Sequence, residues 1–116
     1  GVHGTAVAGI IAAQANNGIG GVGVAHGASI TGFNVFTGAG AGANFLTSIR
    51  AMGTMDVTNN SWGWVDRYAN GSMTAGSFNQ QFSAALKSAA DTGRAGYGTI
   101  IVNAAGNDGQ SLTDAN

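Results

Sequence analysis

The sequence predicts an α/β domain in which helices cover both faces of a parallel β-sheet. Helical and extended patterns alternate along 116 residues, which is the length of one domain. Strands that alternate with helices are joined by right-handed crossovers, so they pair in parallel. The composition agrees, because 44% of the residues are hydrophobic and only 8% are charged, which excludes a disordered chain.

The first predicted elements are a helix, a loop and a strand. Apolar residues recur at helical spacing over Thr5–Ala13, which predicts a buried helix. These residues are Val7, Ile10 and Ile11. Asn16–Gly23 is too rich in Gly for regular structure and predicts a tight loop. Ser29–Phe36 is rich in β-branched and aromatic residues, so we expect a strand there.

A second helix and a second strand follow. Asn44 is a suitable N-cap for a helix with one apolar side. That side carries Leu46, Ile49 and Met52. Asp56–Ser61 then predicts a strand.

The third helix has the clearest pattern, and a strand follows it. Ser77 and Gln80 form a capping box, and Gly93 lies where the helix is expected to end. The apolar stripe between them consists of Phe78, Phe82, Ala85, Leu86 and Ala89. Gly98–Ala104 is a continuous apolar run, which is typical of a parallel strand covered on both faces. Ligands are expected at the carboxyl ends of these strands.

Charge and composition exclude several classes of partner. Four Lys and Arg residues against five Asp residues give a formal net charge of -1. This charge is too small to neutralise a run of phosphates, so we expect neither nucleic acid nor a membrane surface as partner. Because the chain has no Cys, it has no thiol nucleophile and no zinc thiolate site.

Residue types suited to acyl transfer lie near the expected ligand-binding edge. His3 begins the first helix, and a His side chain can act as a general base near neutral pH. Asn107 follows a Gly, and an Asn amide on such a turn can stabilise an oxyanion. Extended backbone over Ser61–Gly63 can pair with a peptide through main-chain hydrogen bonds.

Three blocks in this order resemble the signatures of the subtilisin-like serine peptidases. They are His3–Ile10 (HGTAVAGI), Asn59–Gly63 (NNSWG) and Ala104–Gly109 (AAGNDG). Within that family the sequence is most similar to the kexin and proprotein-convertase branch, through Ala15–Ala25 and Gly93–Gly98. The resemblance implies a subtilisin-like fold and a serine endopeptidase that works through a Ser-His-Asp triad.

The resemblance assigns catalytic and substrate-binding roles. It implies that His3 is the histidine of the triad and that Asn107 is the side chain of the oxyanion hole. The backbone that pairs with a polypeptide substrate would be Ser61, Trp62 and Gly63.

The resemblance also assigns a specificity pocket. One wall would consist of Ala104, Ala105 and Gly106. Asp66 lies at the spacing at which convertases place an acidic residue of this pocket, which implies cleavage after basic residues.

The resemblance also implies a structural calcium site in the glycine loop. Its ligands would be Gln14, Asn17, Ile19 and Gly21, and Asn17 would be the side-chain ligand. Calcium prefers oxygen ligands of this kind. Secretion or a periplasmic location is expected from the family, because calcium is plentiful there.

Two further blocks of the family are missing from this sequence. It contains neither the aspartate block that precedes the His block nor the later Gly-Thr-Ser-x-Ala block with the nucleophile. We therefore expect residues 1–116 to be a partial, middle portion of a catalytic domain, inactive by itself and dependent on the remainder of that domain.

Two alternative functions remain open at this point. Gly18–Gly23 satisfies the G-x-G-x-x-G pattern of nucleotide-binding domains. However, it follows a predicted helix and precedes a predicted strand, which is the reverse of the required context. The second alternative is a catalytically inactive relative that serves as a binding module.

Overall fold

The computed structural model describes residues 1–36, 41–63 and 75–107. The chain divides into two compact units, of which the first spans Gly1–Asn34 and the second begins at Val35. Asp66, for which a pocket role is predicted, lies outside the described residues.

The first unit contains one helix, α1 (Val2–Ala12). The predicted helix is therefore confirmed, although it begins earlier than expected. The prediction that it is buried is wrong, because no residue of α1 is buried and Ile10 is 69% exposed. A unit this short has too little apolar surface to enclose a helix.

The chain after the glycine loop folds back onto the C-terminal end of α1. The main-chain N–H groups of residues 23–25 donate to carbonyl oxygens there, at distances between 2.7 and 3.0 Å. Gly23 permits this approach, since a Cβ at that position would lie 2.6 Å from the Ala12 nitrogen. The bonds supply partners to carbonyl groups at a helix end, where intrahelical partners run out.

The strand predicted over Ser29–Phe36 is wrong. The described residues of this segment form no regular secondary structure, and Ile30 and Phe33 are about half exposed. A segment with high β-propensity becomes a strand only when it pairs with a neighbour and packs on one face. Within the described residues, the sheet contains two other strands and none from this segment.

The second unit begins its regular structure with α2 (Ala41–Ala51), which continues into a 3₁₀ turn at Met52–Thr54. The predicted helix is confirmed, but the prediction of Asn44 as its N-cap is wrong. Because α2 starts at Ala41, Asn44 lies inside the helix, and its carbonyl oxygen accepts a hydrogen bond from Ser48 Oγ at 2.8 Å.

The core of the second unit lies between α2 and α3 (Phe78–Gly96). Its buried residues are Phe45, Ile49, Met52 and Ala89. Ile49 and Met52 were predicted to face the core, whereas Leu46 is only half-buried. Burial of an aromatic or large aliphatic side chain stabilises a fold by about 1.5–3 kcal/mol, so Phe45 is a main contributor to the stability of this core. The sequence pattern did not place Phe45 on the apolar side of the helix.

Two strands form the sheet of the described residues, β1 (Val57–Asn60) and β2 (Ile100–Asn103). They pair in parallel, with Val57 opposite Ile100 and Asn60 opposite Asn103. Because α3 lies between them along the chain, the three elements form a β-α-β unit. The strands predicted over Asp56–Ser61 and Gly98–Ala104 and the α/β fold class are therefore confirmed.

The two faces of this sheet differ in burial. Ile101 packs against the core that α2 and α3 provide. Ile100 and Val102, on the opposite face, are 51% and 47% exposed. The second unit thus covers one face of β2 rather than both, which departs from the expectation drawn from its apolar run.

Both ends of α3 agree with the sequence pattern. Ser77 Oγ accepts a hydrogen bond from the Gln80 N–H at 3.2 Å, as in a capping box. Gln80 Oε1 reaches one residue further back and accepts from the Gly76 N–H at 2.6 Å. At the other end the regular helix breaks at Gly93, whose ψ is 167°, and residues 94 and 95 also have non-helical conformations, so the predicted stop is confirmed although α3 is bounded at Gly96.

The turn from α3 into β2 depends on left-handed backbone conformations. The residues with positive φ are Arg94, Ala95, Gly96 and Gly98. At Gly98 a Cβ would also collide with the carbonyl oxygen of Ala90, so this position has no room for a side chain.

Thr99 fixes the start of β2 against the 3₁₀ turn. It is buried, and its hydroxyl lies 3.0 Å from the Met52 carbonyl oxygen and 2.9 Å from that of Met55. Arg94 Nε lies 3.4 Å from Asp56 Oδ1 and adds an exposed link to the residue before β1. Such exposed pairs contribute little to stability, so of these two side-chain contacts the buried hydroxyl is the more important.

Candidate functional site

The carboxyl ends of β1 and β2 bring two of the predicted blocks together. Asn60 and Asn103 are register partners, and the Ala104 N–H donates to the Asn60 carbonyl oxygen at 3.0 Å. Ser61–Gly63 and Ala104–Asn107 therefore leave the sheet side by side, at the edge where parallel sheets bind ligands.

Two side-chain contacts hold the segment Ser61–Gly63. Trp62 is half-buried, and its ring lies edge-on to Phe45 with the centroids 4.9 Å apart. Asn59 Nδ2 donates to Ser61 Oγ at 2.8 Å. Ser61 and Gly63 are exposed, so main chain on either side of the anchored Trp62 is open to a ligand.

The second segment is exposed along its whole length. Ala104, Ala105, Gly106 and Asn107 are all exposed. Gly106 has a φ of 87°, so a left-handed turn precedes Asn107, as the sequence led us to expect. The turn favours Gly because other residues are strained in this conformation.

His3 lies in the first unit, in the first turn of α1, and it is exposed. Gly1 is the N-cap and provides no side-chain bond. Instead, Thr5 Oγ1 donates back to the Gly1 carbonyl oxygen at 3.2 Å. Nothing in this turn encloses the imidazole, so His3 is open to a partner group.

The glycine loop has the backbone conformations expected of a tight turn. Asn16, Gly18 and Gly20 have φ values of 60°, 71° and 62°. Asn17 Oδ1 accepts a hydrogen bond from the Ile19 N–H at 3.0 Å. A carboxamide oxygen has two lone pairs, so this oxygen can also bind a cation.

The loop does not support the nucleotide-binding alternative. It follows α1 and leads into a segment without regular structure, rather than joining a strand to a helix. The N–H groups of residues 23–25 are already bonded to carbonyl groups of α1 and the residue after it, so they are not free to bind phosphate.

Asn60 is a residue of this edge to which the sequence assigned no role. It is 5% exposed, and its Nδ2 lies 3.4 Å from the Val102 carbonyl oxygen. Alternation along a strand places Asn59 and Asn60 on opposite faces, but the sequence does not show which of the two faces the core or what it contacts there.

One protein family accounts for the His, Ser-Trp-Gly and Gly-Asn blocks together. All residues, 1–116, match the model described as the Subtilase family. The chain belongs to the subtilase family. The resemblance inferred from the His, Ser-Trp-Gly and Gly-Asn blocks is therefore confirmed.

Relatives of this subtilase chain are convertases by name, which confirms the kexin-like branch. It is 37% identical to a PC3-like endoprotease variant B from Hydra vulgaris and 37% identical to human proprotein convertase subtilisin/kexin type 7. It is 35% identical to bovine neuroendocrine convertase 2. Each match covers 98% of this chain but only 16%, 14% and 17% of the respective relative.

No solved structure matches this subtilase chain significantly. In the described part of the chain, no helix is both long enough and apolar enough to cross a bilayer.

Proposed function

We propose that this subtilase chain is part of a serine endopeptidase that hydrolyses peptide bonds through an acyl-enzyme. The observation that carries the proposal is the parallel pairing of β1 with β2, which brings Ser61–Gly63 and Ala104–Asn107 to one edge. In a subtilase these are the substrate-binding and oxyanion blocks. Family membership and local geometry thus support the same activity.

In the proposed mechanism His3 is the general base and then the general acid. It accepts the proton of the serine hydroxyl as the serine oxygen bonds to the scissile carbonyl carbon. When the C–N bond breaks, His3 returns that proton to the leaving amine, and water then hydrolyses the acyl-enzyme. The serine and the triad aspartate, absent from this sequence, come from the remainder of the same catalytic domain.

Asn107 and Ser61–Gly63 act on the substrate rather than on the serine. The Asn107 amide donates to the oxyanion that develops on the scissile carbonyl, where an oriented dipole stabilises charge most effectively. Main-chain groups of Ser61–Gly63 bind the residues before the scissile bond as an added strand, and exposure of Ser61 and Gly63 supports this. Ala104, Ala105 and Gly106 line the adjacent pocket.

The substrate preference follows from Asp66 in this proposal. A carboxylate in a partly desolvated pocket favours Arg or Lys through charge-assisted hydrogen bonds, and apolar side chains leave it unpaired. Val65 precedes it where convertases have another acid, and the chain has five Asp and no Glu. The proposed specificity is therefore for one basic residue at the cleavage site rather than for a pair.

Profiling the complete protein on a peptide library tests both the activity and the preference. We expect cleavage after single Arg or Lys residues, and inhibition by a serine-directed organophosphonate. Cleavage chiefly after Phe, Tyr or Leu would refute the role of Asp66 but leave the peptidase in place. If no peptide is cleaved and the phosphonate does not label the protein, it is instead an inactive binding module.

A structural calcium ion is proposed for the glycine loop. The donor set fits a hard cation in its chemistry, because it combines side-chain and main-chain oxygens and contains no soft ligand. Asn17 supplies its carboxamide oxygen, with Gln14, Ile19 and Gly21 as the other ligands. A secreted or periplasmic location is proposed with it, since calcium is abundant in those compartments.

Calcium is expected to raise the melting temperature of the complete protein. A ligand at 100 times its dissociation constant stabilises the folded state by about 2.7 kcal/mol. Asn17→Ala should abolish most of this calcium-dependent shift, measured as the difference between melting curves with calcium and with chelator. Asn16→Gly is the matched control, because Gly tolerates the φ of 60° at that position, and it should retain the shift. A melting temperature that chelator leaves unchanged in the wild-type protein would contradict the site.

A further inference from the structure

The geometry points to Asn60 as a positioning residue of the proposed active site. We propose that its side chain fixes the spacing between the substrate-binding segment Ser61–Gly63 and the oxyanion segment Ala104–Asn107. This inference rests on the proposed endopeptidase function. Asn60 touches neither the substrate nor the reacting atoms, and it acts through the two strand ends that carry those segments.

Asn60 is bonded to β2 on both sides of its own register partner. Its Nδ2 lies 3.4 Å from the carbonyl oxygen of Val102, and its own carbonyl oxygen accepts the Ala104 N–H at 3.0 Å. Asn103, opposite Asn60, lies between those two residues. The end of β1 is thus attached to β2 immediately before both functional segments begin.

Burial of the Asn60 side chain strengthens the constraint that its hydrogen bond to β2 imposes. Asn60 is only 5% exposed, and a buried amide loses free energy unless it is hydrogen-bonded. At such a buried position water cannot easily take the place of the Val102 carbonyl oxygen as hydrogen-bond partner. The side chain therefore favours the separation of the strand ends at which this bond forms. Thr58, on the same strand and face, provides a contrast, since its buried hydroxyl has no hydrogen-bond partner among the described residues.

The separation of the two strand ends matters because a peptide substrate must use both segments at once. Residues before the scissile bond pair with Ser61–Gly63, while the scissile carbonyl must reach Asn107. A misplacement of about 1 Å can cost about 10²-fold in rate. A substrate with a single residue before the scissile bond does not extend along Ser61–Gly63, so it depends less on this spacing.

The experiment compares two substrates that share the same residue at the cleavage site. One is a tetrapeptide amide and the other is an ester of that single blocked residue, and kcat/KM is measured for both in the complete protein. The ratio of the two values does not depend on the fraction of folded enzyme. In Asn60→Leu, which removes the amide at similar volume, we expect this ratio to fall by about tenfold.

Two further variants make the result decisive. Asn60→Ala should lower the ratio in the same way, and it serves if Asn60→Leu does not fold. Thr58→Val should leave the ratio unchanged, because it removes a hydroxyl that has no hydrogen-bond partner among the described residues. If the ratio is unchanged in the Asn60 variant while total activity falls, Asn60 only stabilises the fold and the inference is overturned. If the wild-type protein hydrolyses neither substrate, the proposed function itself is wrong.

Discussion

His3→Ala in the complete protein is expected to remove nearly all peptidase activity and to leave the fold intact. Without a base the serine hydroxyl is a poor nucleophile, so the acylation step fails. The expected loss in kcat is about 10⁶-fold, the magnitude found for the triad histidine of subtilisin. Because His3 is exposed in the first turn of α1, its replacement removes no buried contact. Peptide hydrolysis and the melting temperature are measured on the same sample.

His26→Ala is the matched control for this experiment. His26 is the only other histidine of the chain, it is exposed, and it lies in the same unit. Its replacement should leave kcat and KM unchanged. Wild-type turnover in His3→Ala would refute the assignment of the triad, whereas loss of activity together with loss of the folded state would show a structural role instead.

Local chemistry explains which elements could be predicted from the sequence. The ends of α3 depend on groups within a few residues of one another, namely the Ser77 hydroxyl, the Gln80 amide and Gly93. The apolar stripe between them needs no knowledge of the partner element. The parallel pairing of the two strands could be predicted because α3 separates them along the chain, and a helical crossover joins parallel strands.

Two kinds of wrong prediction concern tertiary partners. Ser29–Phe36 has the composition of a strand, but pairing decides strand formation, and composition does not identify the pairing partner. The burial predicted for α1 likewise depends on neighbours that its own periodicity does not reveal. Asn44 is a different case, because it has the chemistry of an N-cap but α2 already begins at Ala41, so Asn44 is an interior residue of the helix.

The residues of the candidate site also differ in whether local sequence or a distant contact defines their proposed roles. Roles for His3 and Asn107 could be predicted because their neighbours form blocks with recognisable spacing. Asn60 could not, since its proposed role depends on a carbonyl oxygen of Val102 that lies 42 residues away along the chain. Only the parallel register of β1 and β2 brings the two together.

Asn107→Ala is expected to lower kcat by about 10²–10³-fold with little change in KM. In the proposed mechanism the side chain donates to the developing oxyanion and not to the bound substrate, so its loss should affect only the transition state. The magnitude is that of the corresponding substitution in subtilisin. The left-handed turn at Gly106 does not depend on the Asn107 side chain, so the backbone conformation should not change. Steady-state kinetics on a peptide amide, with active sites titrated, give both constants.

Asn103→Ala provides the comparison for Asn107→Ala. It removes an exposed amide from the end of β2, four residues earlier on the same strand-and-turn segment, and it should leave kcat unchanged. A rise in KM with unchanged kcat in Asn107→Ala would mean that Asn107 shapes the pocket, because interactions lost equally from ground and transition states appear in KM alone. A fall in kcat confined to Asn107→Ala is the result that the oxyanion role requires.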